Sequence, residues 1–168
     1  MKKRTKKVAF IGVSIALAMV LSYLESQIPL FATNMGFKVG FPNLVMMVVL
    51  YKVGWKETIL VSILRIFLMF ACGFTRDVTG LVLSLAGAAL SLTGIILLKK
   101  TKWFSPIAVS IVGGVLHNIG QVIAVCIWYQ TPGLALELPL LLISGTIAGA
   151  VIGFVAGLLV KRLEKVKL

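Results

Sequence analysis

Six long apolar stretches run along this chain, parted by short clusters of charge, proline and glycine. The first, 8–25, closes at Glu25, with Pro29 just beyond. The second, 42–53, opens on Pro42, a residue suited to the first turn of a helix. It is short for the roughly 20 residues a bilayer-crossing helix needs. The third, 57–72, carries Arg65 near its middle and follows an interfacial turn at Trp55 and Lys56. The fourth, 78–98, is rich in small residues (Gly80, Ser84, Gly87, Ala88, Ser91, Gly94) and breaks at Lys99–Lys102, where Trp103 marks an interface. The fifth, 106–129, ends in Trp128 and Tyr129, and the sixth, 138–160, runs into the basic tail KRLEKVK. Gln27–Gly40 mixes Pro29, Asn34, Gly36 and Lys38 and reads as a loop, either surface or re-entrant. The pattern predicts an all-α membrane protein: one domain, 1–168, of six transmembrane helices.

Composition agrees. Sixty per cent of the 168 residues are hydrophobic and only 13% are charged, against about 25% in a soluble domain; mean hydropathy is +1.07. A net charge of +12 in a soluble chain would suggest nucleic acid. Here the bases lie between apolar runs, so they report membrane orientation and anionic lipid instead. Six crossings put both termini on one side. That side takes Lys2, Lys3, Arg4, Lys6 and Lys7; Lys52 and Lys56; Lys99, Lys100 and Lys102; and Lys161, Arg162, Lys165 and Lys167. The opposite loops hold only Lys38 and Arg76, and Arg65 lies within a span. The positive-inside rule then makes both termini cytoplasmic. The basic start MKKRTKK is followed by no small-x-small cleavage site at Leu21–Glu25, so a cleaved signal peptide is not expected. Cys72 and Cys126 have neither metal nor redox spacing and read as small apolar fillers, or as an outer-side disulfide.

Candidate chemistry centres on Gly113–Gln121, GGVLHNIGQ, which holds the only histidine. Gly113, His117 and Gln121 fall at i, i+4 and i+8 and share a helix face. Polar groups at bilayer depth are costly and tend to face a bundle interior or cavity. The predicted topology puts Arg65 and His117 near mid-membrane, Glu25 and Asn43 near the outer face, and Ser84, Gln121 and Ser144 in the outer half. With Lys38 and Asn118 they suggest an outward-opening pocket. Each has a plainer reading too: His117 as a satisfied core group, Lys38 as a surface charge. No acid is expected at the depth of Arg65: Glu25 pairs with it only if the outer loop dips inward, and otherwise Arg65 bonds backbone carbonyls or awaits an anionic ligand. Gly145, Gly149, Gly153 and Gly157 form a small-residue stripe for close packing or for docking another subunit, and Gly12 and Ala16 form a shorter one. No DDxxD motif and no GxxxxGK[ST] loop occurs, and one histidine makes no multi-histidine metal site. The chain is therefore expected not to be an enzyme, to hold no metal, and to name no cofactor.

In this order, YLESQIPL, KVGFPNLV, the LR of the third segment, LSLAGAALS, HNIGQ and LPLLLISGTIAG resemble the Gx transporter family, also labelled heptaprenyl diphosphate synthase component I. The resemblance covers about Val8 to Val160; Pro42 departs from it, where the family more often has a small residue. That family is similar to the S components of energy-coupling-factor transporters. The resemblance implies a six-helix bundle in the bacterial cytoplasmic membrane, with a pocket open to the outside and a first-helix small-residue motif, here Gly12 and Ala16, that docks a coupling protein. It places Lys38, Asn43, Arg65, His117, Asn118 and Gln121 on family motifs. The first functional reading is a subunit that captures an anionic or amphipathic vitamin-, flavin- or quinone-related ligand, beside a membrane coupling subunit and separate ATPases. The second is a non-catalytic membrane subunit of heptaprenyl diphosphate or quinone metabolism. The third is a scaffold for flavin-based extracellular electron transfer, with a borrowed cofactor.

Overall fold

The computed structural model describes residues 2–27, 40–75 and 77–165, and they are helical almost throughout. Six α-helices are described: α1 (Lys2–Gln27), α2 (Asn43–Lys52), α3 (Trp55–Ala71), α4 (Val78–Thr101), α5 (Pro106–Tyr129) and α6 (Leu138–Arg162). Four stretches, Lys3–Gln27, Val78–Thr101, Pro106–Tyr129 and Pro132–Arg162, are long and apolar enough to cross a membrane. The chain is a helical membrane protein. Lys38 and the choice between a surface and a re-entrant loop for most of Gln27–Gly40 lie outside the described residues.

Helix ends follow from local chemistry. Asp77 accepts a hydrogen bond from Gly80 N at 2.8 Å to cap α4, and Ser105 does the same for α5 from Ala108 N at 3.2 Å, with Pro106 in the first turn. Such caps satisfy amides that the helix start leaves unpaired. Three boundaries differ from the hydropathy pattern. The basic start of α1 is helical from Lys2, because charge does not stop a helix. Pro42 caps α2 rather than opening it. Trp55 and Lys56 begin α3 instead of forming a turn, which shrinks to Val53–Gly54, with Gly54 at φ +146°.

The short α2 is the centre of the bundle. Val45 to Leu50 are all buried, as expected for a helix that is apolar all round. On one side Met47, Val48 and Leu50 pack with Leu92 and Ile95 of α4, Val109 of α5 and Ala156 of α6. On the other, Val45, Met46 and Val49 pack with Ala18 of α1 and Val61 of α3. The glycine stripe of α6 lies against α5: a Cβ on Gly145, Gly149 or Gly153 would fall 2.7 Å from Asn118 Nδ2, Ile111 Cα and Ile107 Cα respectively. The stripe is internal packing over those three positions and loosens at Gly157, 4.0 Å from Pro106 Cβ.

Cross-links show which helix ends lie together. Lys7 of α1 pairs with Glu57 of α3. Lys52 of α2 donates to Leu163 O, just past α6, at 2.5 Å, and Lys99 of α4 donates to Leu50 O. These contacts gather the start of α1, the end of α2, the start of α3 and the ends of α4 and α6 into one basic end of the bundle. Glu25, Asp77 and Glu137 lie on helix ends away from it.

Candidate functional site

Asn43 opens α2, and ten residues rise about 15 Å. Lys52, at the other end, is anchored at the basic end of the bundle. Asn43 therefore lies about 15 Å from that end, about half of the roughly 30 Å that a hydrocarbon core measures. Asn43 lines a cavity of about 10 Å³ with Met47, Ser91, Ile95, Ser110 and Gly113. That is room for about one water, and the polar walls suit one.

Arg65 and Glu25 both lie on the α1 side of α2. Arg65 Nη1 donates to Ser22 Oγ at 2.7 Å, and Ser22 in turn donates to Ala18 O at 2.8 Å. Glu25 sits one turn beyond Ser22, is 5% exposed, and accepts a hydrogen bond from Gly40 N. Its carboxylate is close enough for its charge to act on the Arg65 guanidinium. Glu25 near Arg65 is the pairing that the sequence left open on condition of an inward loop. Glu25 is drawn into the bundle by Gly40, and the long arginine side chain reaches toward α1. Arg65 Nε remains buried without a hydrogen-bond partner. Gly40, at φ +96°, holds a conformation that favours glycine, and a Cβ there would fall 2.9 Å from Asn43 Nδ2.

His117 and Gln121 lie against α4. A Cβ on Gly87 would come within 2.8 Å of His117 Cε1 and 3.0 Å of Gln121 Cγ. Gln121 is 2% exposed and its Oε1 is buried with no hydrogen-bond partner. Asn118 points the other way and donates through Nδ2 to Leu141 O of α6 at 2.6 Å. Ser144 bonds the same carbonyl within its own helix at 3.0 Å, and Ser84 is half-buried on α4. The face Gly113–His117–Gln121 is therefore covered by α4, since Gly113 abuts Ile95 and Ser91.

These groups form one buried seam across the bundle. It runs from Arg65, Ser22 and Glu25 through Gly40 to Asn43, then along the Ser91–Ser110–Gly113 cavity to His117 and Gln121, one and two turns on. Ser22, Gly40, Ser91 and Ser110 were not singled out as site residues from the sequence. Ser22 carried a usable signal, lying three residues before Glu25 on one face of α1. Gly12 and Ala16 are exposed on the outward face of α1, and a Cβ on Gly12 would meet nothing within 4 Å. Among the described residues no group of His, Cys, Asp and Glu could hold a metal, and Cys72 and Cys126 are free thiols.

Fold and seam together define a helical membrane subunit with a polar interior. Residues 5–159 match the family described as heptaprenyl diphosphate synthase component I, and the chain belongs to that family. The description names one component, which implies a partner in a complex. No curated protein and no solved structure matches the chain.

Proposed function

We propose that this chain is the ligand-capturing membrane subunit of an assembly akin to energy-coupling-factor transporters. The observation that carries this reading is the seam of buried polar groups, drawn from five of the six helices and ending at the unbonded Oε1 of Gln121. Buried polar atoms are normally satisfied, and an exception calls for a reason. A ligand donor at Gln121 is that reason. The ligand is anionic or amphipathic and of vitamin, flavin or quinone type. It approaches from the outer side, and Arg65, already held by Ser22 and near Glu25, keeps Nε for it. The cavity beside Asn43 is water-sized, so capture requires α4 and α5 to part along the Gly87–His117 contact.

In this reading six helices cross the bacterial cytoplasmic membrane. The basic end faces the cytoplasm with both termini, by the positive-inside rule. The open small face at Gly12 and Ala16 docks a coupling subunit, and any chemistry belongs to a partner chain. The family description favours a second reading, a non-catalytic membrane subunit beside a soluble prenyl diphosphate synthase. Mass spectrometry of small molecules retained by the gently purified protein separates the two. A vitamin, flavin or quinone supports capture, a polyprenyl diphosphate supports the second reading, and lipid alone removes both ligand proposals.

A further inference from the structure

The basic end carries a feature that the seam does not use. Trp55, in the first turn of α3, is 45% exposed. Two ammonium groups from different helices sit over its indole: Lys56 Nζ of α3 at 5.5 Å from the ring centroid and Lys100 Nζ of α4 at 5.6 Å. Beside it, Lys99 lies 5.1 Å from the Tyr51 ring and donates to Leu50 O. Glu57 is the carboxylate at hand, and its hydrogen bond goes to Lys7; Lys56 feels its charge without bonding it. Lys56 and Lys100 are exposed, and neither has a carboxylate partner among the described residues. The next turn, 102–105, presents Trp103, 91% exposed, and Phe104, 47% exposed.

Exposed indoles flanked by lysines belong at the headgroup layer, where the ring is amphipathic and the ammonium meets lipid phosphate. The ring face attracts each ammonium, the two ammoniums repel each other, and an anion between or beside them offsets that repulsion. From this convergence we infer a site for the headgroup of an anionic phospholipid at Trp55, Lys56 and Lys100. Its phosphate is held by the two lysines, and its glycerol backbone rests on the indole. The site lies at the membrane surface and is independent of what the seam binds.

The test uses full-length protein carrying Trp103→Phe and Trp128→Phe, so that Trp55 alone fluoresces, reconstituted in phosphatidylcholine vesicles. Quenching by brominated phosphatidylglycerol is compared with quenching by brominated phosphatidylcholine. The site predicts a clear preference for the anionic lipid, reduced about five-fold for each lysine lost in Lys56→Gln and Lys100→Gln. The control Lys3→Gln/Arg4→Gln removes equal charge from the same end and should leave the preference unchanged. Equal quenching by both lipids overturns the proposal and leaves the patch to an acidic protein partner. An equal loss in the control also overturns it, because the attraction would then be a diffuse field.

Discussion

At the scale of single residues, Arg65 shows what one buried hydrogen bond changes. From the sequence it looks like a lone cation at mid-membrane. In the fold it bonds Ser22 and lies near Glu25, which Gly40 N holds inside the bundle. Ser22 was not legible as a partner and Glu25 only as a conditional one, because depth counted along separate helices ignores how far an arginine side chain reaches and how a loop amide draws a carboxylate inward. Truncating one member of a buried charged set strands the other and costs about 3–5 kcal/mol. Arg65→Ala is therefore expected to melt well below the wild type in detergent, and adding Glu25→Gln should recover most of the loss. If the double variant melts no higher than Arg65→Ala alone, Glu25 is not the group that Arg65 neutralises.

At the scale of elements, five of the six apolar runs were legible as helices to within a turn or so at most ends. The start of α1, at Lys2 instead of position 8, was the exception. Long apolar runs bounded by Pro, Gly and charge leave little choice. The sixth case, α2, was legible as a helix but not in its centrality. A ten-residue run that is apolar on every side gives no face to read. The two small-residue stripes show the same limit: spacing identifies them, but only packing tells inside from outside. The Gly149 backbone lies against Ile111, so Gly149→Val puts a side chain where a Cβ already falls 2.7 Å from Ile111 Cα. Overpacking of this kind costs about 1–3 kcal/mol and more when backbones must part, and Gly149→Val is expected to lower thermal stability or yield. Gly12→Leu/Ala16→Leu adds bulk to an open face and should melt like the wild type while losing co-purified partner. Retention of the partner by that variant would remove α1 as the docking face.

At the scale of the whole molecule, charge segregation organises the account. Fourteen of 17 Lys and Arg were assigned to one side from the sequence alone, and the cross-links Lys7–Glu57, Lys52–Leu163 and Lys99–Leu50 bring those segments together. The proposed orientation gives a direct expectation. With Cys72 and Cys126 replaced by Ala, a cysteine at Thr5 or Thr101 should be shielded from an impermeant thiol reagent in intact cells. One at Thr131, exposed at the opposite end, should react. Labelling at Thr101 without labelling at Thr131 would invert the topology.

The central claim, that the buried seam captures a ligand from the outer side, rests on Gln121, whose Oε1 lacks a partner in the closed fold. A buried polar atom without a partner lowers stability, and replacing it with an apolar group of similar size is neutral or stabilising. Function and stability should therefore separate at this residue. The measurement is uptake onto the protein, in right-side-out membrane vesicles, of the small molecule that co-purifies with the wild type. Wild-type protein and Gln121→Leu are compared at matched amounts, and their melting is recorded alongside. The account predicts that Gln121→Leu melts at or above the wild type and binds about ten-fold more weakly, the loss of one well-placed hydrogen bond to a bound group. A Gln121→Leu protein that folds normally and captures the ligand as well as the wild type would contradict it.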